Sequence, residues 1–232
     1  MKRLYREVAV TAHPEGYGVV LDGRRVNTPA GAALVIPARA LAEAVAEEWS
    51  AQGERVVPRT MPLMQLTATA LDRVAAARAS VIDELIRYGE TDLLCYRATE
   101  PPELVSRQTV MWQPMIDWIE AHHAVRLEVA HGLMPRPQPA AALAALRAAL
   151  EPLGVLHLTG LTAATAAAGS VVLALALLAR RLSAEEAWAL SLLDETFQIE
   201  RWGEDHEAAR RRAELRADLV AAGRFLELIG AG

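Results

Sequence analysis

Apolar positions change their period near residue 60, and that change divides the chain into an N-terminal domain, residues 1–60, and a larger one, residues 61–232. In the first part, residues 7–12 and 17–21 alternate as strands, joined through His13-Pro14-Glu15-Gly16. Asp22-Gly23 is a type I′ hairpin signal, because both residues tolerate positive φ. A short strand at 25–27, a turn at Thr28-Pro29-Ala30-Gly31 and a strand at 33–36 complete a small antiparallel meander. Pro37 then opens a helix over 38–52, with Leu41, Val45 and Trp49 as its apolar stripe, Glu47 and Glu48 in solvent and Gly53 at its end.

Beyond residue 60 the steps are helical. Pro62 starts a helix to about residue 78, and Ser80 caps another over 81–88 that stops at Gly89. Thr91 or Asp92 caps a short turn, and Pro101-Pro102 opens a helix in which Gln108 and Trp112 share a face and Pro114 forces a kink or restart. Residues 125–129 alternate as a lone strand or extended arm. Pro135 to Pro139 form a stiff connector to a helix over 140–150.

The stretch from residue 169 to 205 organises the rest. Residues 170–181 are apolar on nearly every side, which predicts the buried central helix of a bundle. Ser183 and Glu186 form a capping box that starts the next helix. Along it Trp188, Leu192, Glu195, Ile199 and Trp202 fall at steps of four, three, four and three, one stripe with a carboxylate in the middle. A buried bare charge costs several kcal/mol, so Glu195 is paired with an arginine or sits on a working surface flanked by tryptophans. A last helix covers 206–229, its Arg210-Arg211-Arg212 cluster in solvent. The fold class is therefore α+β: a small β-meander with a helix, then an all-helical bundle.

Composition narrows the function. An apolar fraction of 53% and a charged fraction of 23% describe an ordinary globular chain. A net charge of −5, which no Lys/Arg run is long enough to offset, argues against nucleic acid. Residues 152–179 carry no formal charge, yet Ala, Thr and Gly dominate the first part and Gly160 and Gly169 break it, so two buried helices are expected and no membrane insertion. Cys95 is the single cysteine, in an apolar segment, and reads as an inert buried thiol. Phosphate-loop and nucleophile-elbow motifs are absent. His122 and His123 are neighbours on different sides of a helix, and the acidic run near Glu204 lacks the Glu-x-x-His pairing of a di-iron bundle, so neither metal nor cofactor is expected. Tryptophans recur beside acids or amides, as at Trp49, Trp112 and Trp202, a pattern shared by cores and by binding hot spots.

The segments LDGRRVNTP, LAEAVAEEWSAQ, MPLMQLTATALDRV, YGETDLLCYRA, WQPMIDW, GSVVLALAL and LLDETFQIERWGEDHEA resemble, in this order, the ATP synthase assembly factor two family. The resemblance runs from about residue 5 to 227. It implies a non-enzymatic chaperone that binds the unassembled α subunit of the F-type ATP synthase catalytic head, prevents its aggregation and passes it to the β subunit. It also implies that the acid of LLDETFQ, here Glu195, is functional, with Asp194, Gln198 and Trp202 around it. Trp49, Asp92, Tyr96 and Trp112 are expected in supporting positions. Eukaryotic members are mitochondrial, whereas the short start and Ala/Arg-rich composition here suggest a bacterial cytoplasm. The competing reading is a ligand- or metal-binding protein or enzyme using Thr91, Asp92, Asp194, Glu195 and Glu204.

Overall fold

A computed structural model describes residues 2–132 and 136–230. The hairpin of β1 (Val8–His13) and β2 (Gly16–Leu21) pairs in register from Val8↔Leu21 to His13↔Gly16. Its neighbours β3 (Arg24–Arg25) and β4 (Val35–Ile36) both pair with β2, at Leu21↔Arg24 and Tyr17↔Ile36, so β2 is central and β3 and β4 follow one another along its second edge. Asp22 and Gly23 take the positive φ values of 47° and 77° that the hairpin signal requires. Gly16, at φ 145°, also lets β4 approach, since a Cβ there would lie 2.4 Å from the Ile36 carbonyl oxygen. Helix α1 (Arg39–Ser50) covers this sheet and buries Leu41, Ala42 and Val45.

Glu48, expected in solvent, is more than half buried. Its two carboxylate oxygens accept hydrogen bonds from the Leu63 and Met64 N–H groups, both at 2.8 Å, at the start of α2 (Pro62–Thr69). A helix N-terminus offers unpaired N–H groups and a positive dipole, which is why a carboxylate settles there.

The helix predicted over 62–78 is continued but interrupted. After α2 the chain makes a π-helical turn, Ala70–Val74, and runs on as α3 (Ala75–Glu90), with non-helical backbone at Ala77 instead of a break at Ser80. The π turn changes the phase of the apolar face. Leu63, Met64 and Ala68 join the N-terminal hydrophobic cluster, whereas Val74, Ile82 and Leu85 join the helical one. It also presents Asp72, which accepts hydrogen bonds from the Thr28 hydroxyl and the Ala30 N–H.

Asp92 caps a 3₁₀ turn, Leu93–Cys95, that leads into β5 (Tyr96–Arg97). Helix α4 (Pro102–His123) passes through Pro114 without the predicted restart. Pro114 lies on the solvent face one turn beyond Val110, which is 69% exposed, so water can take the carbonyl that the proline leaves unpaired. The strand expected at 125–129 pairs slightly later, as β6 (Ala130–His131), parallel to β5. Gln138 holds the preceding arm by accepting from Glu128 N–H and donating to its carbonyl. Pro135, the start of the predicted connector, lies outside the described residues.

Helices α5 (Ala140–Leu150), α6 (Val155–Ala168) and α7 (Val171–Leu178) follow. Gly160 is inside α6 rather than at a break, because α10 crosses there: a Cβ would meet Leu226 Cδ2 at 2.5 Å. Gly169 does end α6, at φ 68°. Every residue of α7 from Val171 to Leu177 is buried, as the central-helix reading requires. Helix α8 (Ala184–Ser191) begins at the Ser183–Glu186 capping box, and α10 (His206–Ile229) starts at the Asp205 cap. Between them lies α9 (Leu193–Trp202). On α10, Phe225 enters the N-terminal cluster and Leu226 the helical one, so this helix fastens the two cores together. Among the described residues no helix is long and apolar enough to cross a membrane.

Candidate partner-binding site

The single helix expected to carry the Trp188-to-Trp202 stripe is two helices. The chain leaves helical geometry at Leu192 (φ −104°, ψ 16°), so the stripe does not run straight. Trp188 packs on the helical core from α8, whereas α9 buries Leu193 and Phe197 and turns Glu195, Gln198 and Trp202 outward. The turn rotates the apolar face by enough to make Leu193 and Phe197, rather than Leu192 and Ile199, the anchors of α9.

Helix α9 lies against α4. The Arg107 and Arg201 guanidinium carbons sit 5.2 and 4.4 Å from the Phe197 ring centroid. The same arginines pair with Glu200, at 2.8 Å, and with Glu103. Asp194 accepts a hydrogen bond from Gln108 Nε2 at 2.8 Å, and burial raises its carboxyl pKa against the opposing effects of Gln108 and Arg97. Gln108 in turn accepts from Ala98 N–H, while its backbone carbonyl and that of Leu94 accept from the buried Arg97 guanidinium. Trp112, fully buried, donates Nε1–H to the Leu190 carbonyl at 2.8 Å, next to the α8–α9 break. Gln108, Arg97 and Trp112 therefore position α9, and half-buried Asp194 is held to them through Gln108.

Glu195 has a different setting. Its side chain is 40% exposed and its one ionic partner among the described residues is Arg212 Nε, at 3.7 Å, beyond hydrogen-bond reach. Arg212 also pairs closely with Glu204. The arginine expected in solvent is thus 80% covered and bridges α9, the 203–205 turn and α10. Glu195, Asp205, Glu207, Arg211 and Arg212 line an open cleft of about 470 Å³. Trp202, at the end of α9, is 76% exposed, and Gln198 is exposed one turn before it. Tryptophan is enriched among the residues that anchor protein interfaces.

The remaining expected residues lie elsewhere. Trp49 stacks edge-on with Tyr5, at 5.7 Å, in the N-terminal part. Tyr96 packs against the helical core from β5. Asp92 is wholly buried. It accepts from Leu94 N–H, Val172 N–H and the Ser170 hydroxyl, tying the 3₁₀ turn to the start of α7, and burial pushes its pKa up to about 6. Cys95 beside it is buried, its thiol pushed up to about 12. The acidic residues of the competing reading do not converge: Asp92 faces Ser170, Asp194 faces Gln108, and Glu195 and Glu204 share Arg212. Among the described residues no three His, Cys, Asp or Glu side chains are grouped to hold a metal ion. Arg212 was missed in the sequence because it belongs to a run of three arginines, and only the fold separates it from Arg210 and Arg211.

Comparison with known proteins identifies the family. The profile of the family described as ATP12 chaperone protein matches residues 2–120. The mitochondrial protein atp12 of Schizosaccharomyces pombe is 23% identical over 219 residues, covering 89% of this chain and 75% of that protein. The crystal structure of Atp12 from Paracoccus denitrificans superposes with a TM-score of 0.94 at 39% identity, covering 98% of each chain. A protein from Agrobacterium tumefaciens gives 0.93 at 42%, covering 98% of this chain and 85% of that one. Fold and relatives together define a chaperone, not an enzyme. The chain belongs to the ATP12 chaperone family.

Proposed function

We propose that this chaperone serves ATP synthase assembly by binding the unassembled α subunit of the F-type catalytic head, preventing its aggregation and releasing it to the β subunit, in a bacterial cytoplasm. The family membership supports the assembly role. The observation that carries the site is Trp202, 76% exposed two turns along α9 from a Glu195 carboxylate that, among the described residues, has one loose ionic partner. Such a pair supplies an aromatic anchor and an open acceptor within an interface of roughly 1,200–2,000 Å². Asp194 supports it from behind through Gln108, and Gln198 extends the exposed face.

Light scattering of α subunit diluted from denaturant, with and without an equimolar amount of this protein, tests the reading. Suppression for α subunit and none for β subunit is the expected result. Equal behaviour toward both clients, or no suppression, would overturn it.

A further inference from the structure

A second surface lies away from α9, where the α7–α8 turn crosses α10. Leu177, Leu182, Val220 and Leu226 form the floor of a cleft of about 480 Å³, and Arg180 and Arg224 stand on its lip. Val220 is 38% exposed, a β-branched aliphatic residue facing out of a helix. The walls are set by backbone approach. A Cβ at Gly223 would be 3.1 Å from Ala184 Cβ and 3.4 Å from Leu177 Cδ2, so α10 sits close against the turn.

Arg180 is the informative residue. It occupies the left-handed position after α7, at φ 55°, where the Arg181 N–H closes back onto the Ala176 carbonyl. Glycine is the usual occupant of that position because a Cβ is strained there. The chain instead carries an arginine, whose guanidinium makes one long hydrogen bond, 3.3 Å, to the Glu227 carbonyl and, among the described residues, has no carboxylate within ion-pair distance. Arg224 is already paired with Glu227 at 2.8 Å. The lip therefore carries one uncompensated positive charge above an aliphatic floor.

From this charge complementarity we infer that the cleft is a docking site for an acidic amphipathic helix of a partner polypeptide. Aliphatic side chains one turn apart enter the floor, and a flanking carboxylate pairs with Arg180. The inference stands apart from the α9 surface and from the identity of the α9 client.

Fluorescence anisotropy with a labelled amphipathic helical peptide, bearing leucines at i and i+4 flanked by glutamates, tests it, with a lysine-for-glutamate peptide as the comparison. The wild type should bind the glutamate peptide saturably and at least tenfold more tightly than the lysine peptide. Arg180→Gly should lose tenfold or more while keeping the melting midpoint, since glycine suits the backbone there. Val220→Glu should lose binding as well. Absence of saturable binding, equal affinity for both peptides, or wild-type affinity in Arg180→Gly overturns the inference. Running the α-subunit aggregation assay in parallel keeps the two ideas separate: failure of the wild type with α subunit sinks the client assignment and leaves the peptide result standing.

Discussion

Replacing Asp92 by alanine tests how the helical core is held. The carboxylate is completely buried and takes hydrogen bonds from the Ser170 hydroxyl at 2.8 and 2.9 Å, Leu94 N–H at 3.0 Å and Val172 N–H at 3.1 Å. Alanine leaves two backbone donors and one hydroxyl buried without that acceptor. At about 1–3 kcal/mol for each stranded group, with some relief from water entering the space, the loss is about 3–5 kcal/mol. That is a large share of the roughly 5–15 kcal/mol that holds an ordinary domain together. The pH dependence adds a second check. Burial raises the folded-state pKa from 3.8 to about 6, so the stabilisation from protonating Asp92 is fully present below the unfolded value and is lost as pH rises through about 6. Wild type should therefore gain about 1 kcal/mol relative to Asp92→Asn between roughly pH 7 and pH 5. Urea unfolding followed by tryptophan fluorescence at both pH values measures this. A loss below about 1 kcal/mol in the alanine variant, or pH profiles that run parallel in wild type and Asp92→Asn, would refute the reasoning.

Other substitutions probe separate parts of the molecule. Glu195→Lys should keep the circular dichroism spectrum, with a stability change of about 1 kcal/mol or less because the Arg212 contact is loose and partly exposed, yet abolish suppression of α-subunit aggregation; an unfolded variant would make Glu195 structural instead. Gly160→Ala places a Cβ 2.5 Å from Leu226 Cδ2 and 3.2 Å from Phe225 Cδ1, which should cost about 1–3 kcal/mol in chemical denaturation, and an unchanged midpoint would contradict the close crossing of α6 and α10. Trp112→Phe removes the donor to Leu190 and should cost about 1–3 kcal/mol, leaving that buried carbonyl unpaired; a neutral result would show the hydrogen bond does not hold the α8–α9 break.

The elements that local chemistry specifies were legible in the sequence. Asp22-Gly23 marked its turn, Ser183 and Glu186 their capping box, Thr91-Asp92 the cap that Asp92 supplies, and residues 206–229 their helix, because turn conformations, caps and long amphipathic periods depend on neighbours a few residues apart. The all-apolar run of α7 likewise announced a buried helix, since no exposed placement suits it. Glu195 and Trp202 stood out as a carboxylate and a tryptophan on one predicted stripe, and the structure leaves both on the surface, though on a helix half as long as expected.

What only the tertiary structure decided are the relations between distant residues. Glu48 leaves solvent because the start of α2 arrives beside it, and Arg212 leaves solvent because α9 and the 203–205 turn fold over it. Gly160 reads as a helix break in sequence and is instead the place where α10 crosses, while Pro114 does not end its helix and lies on the exposed face, where water can reach the Val110 carbonyl that it leaves without a donor. The π turn at Ala70–Val74 has no marker in its own residues. It arises where one helix must present an apolar face to two cores in succession. Periodicity encodes which side of an element is apolar; packing decides what that side meets, and with it which charged groups are buried and which remain available to a partner.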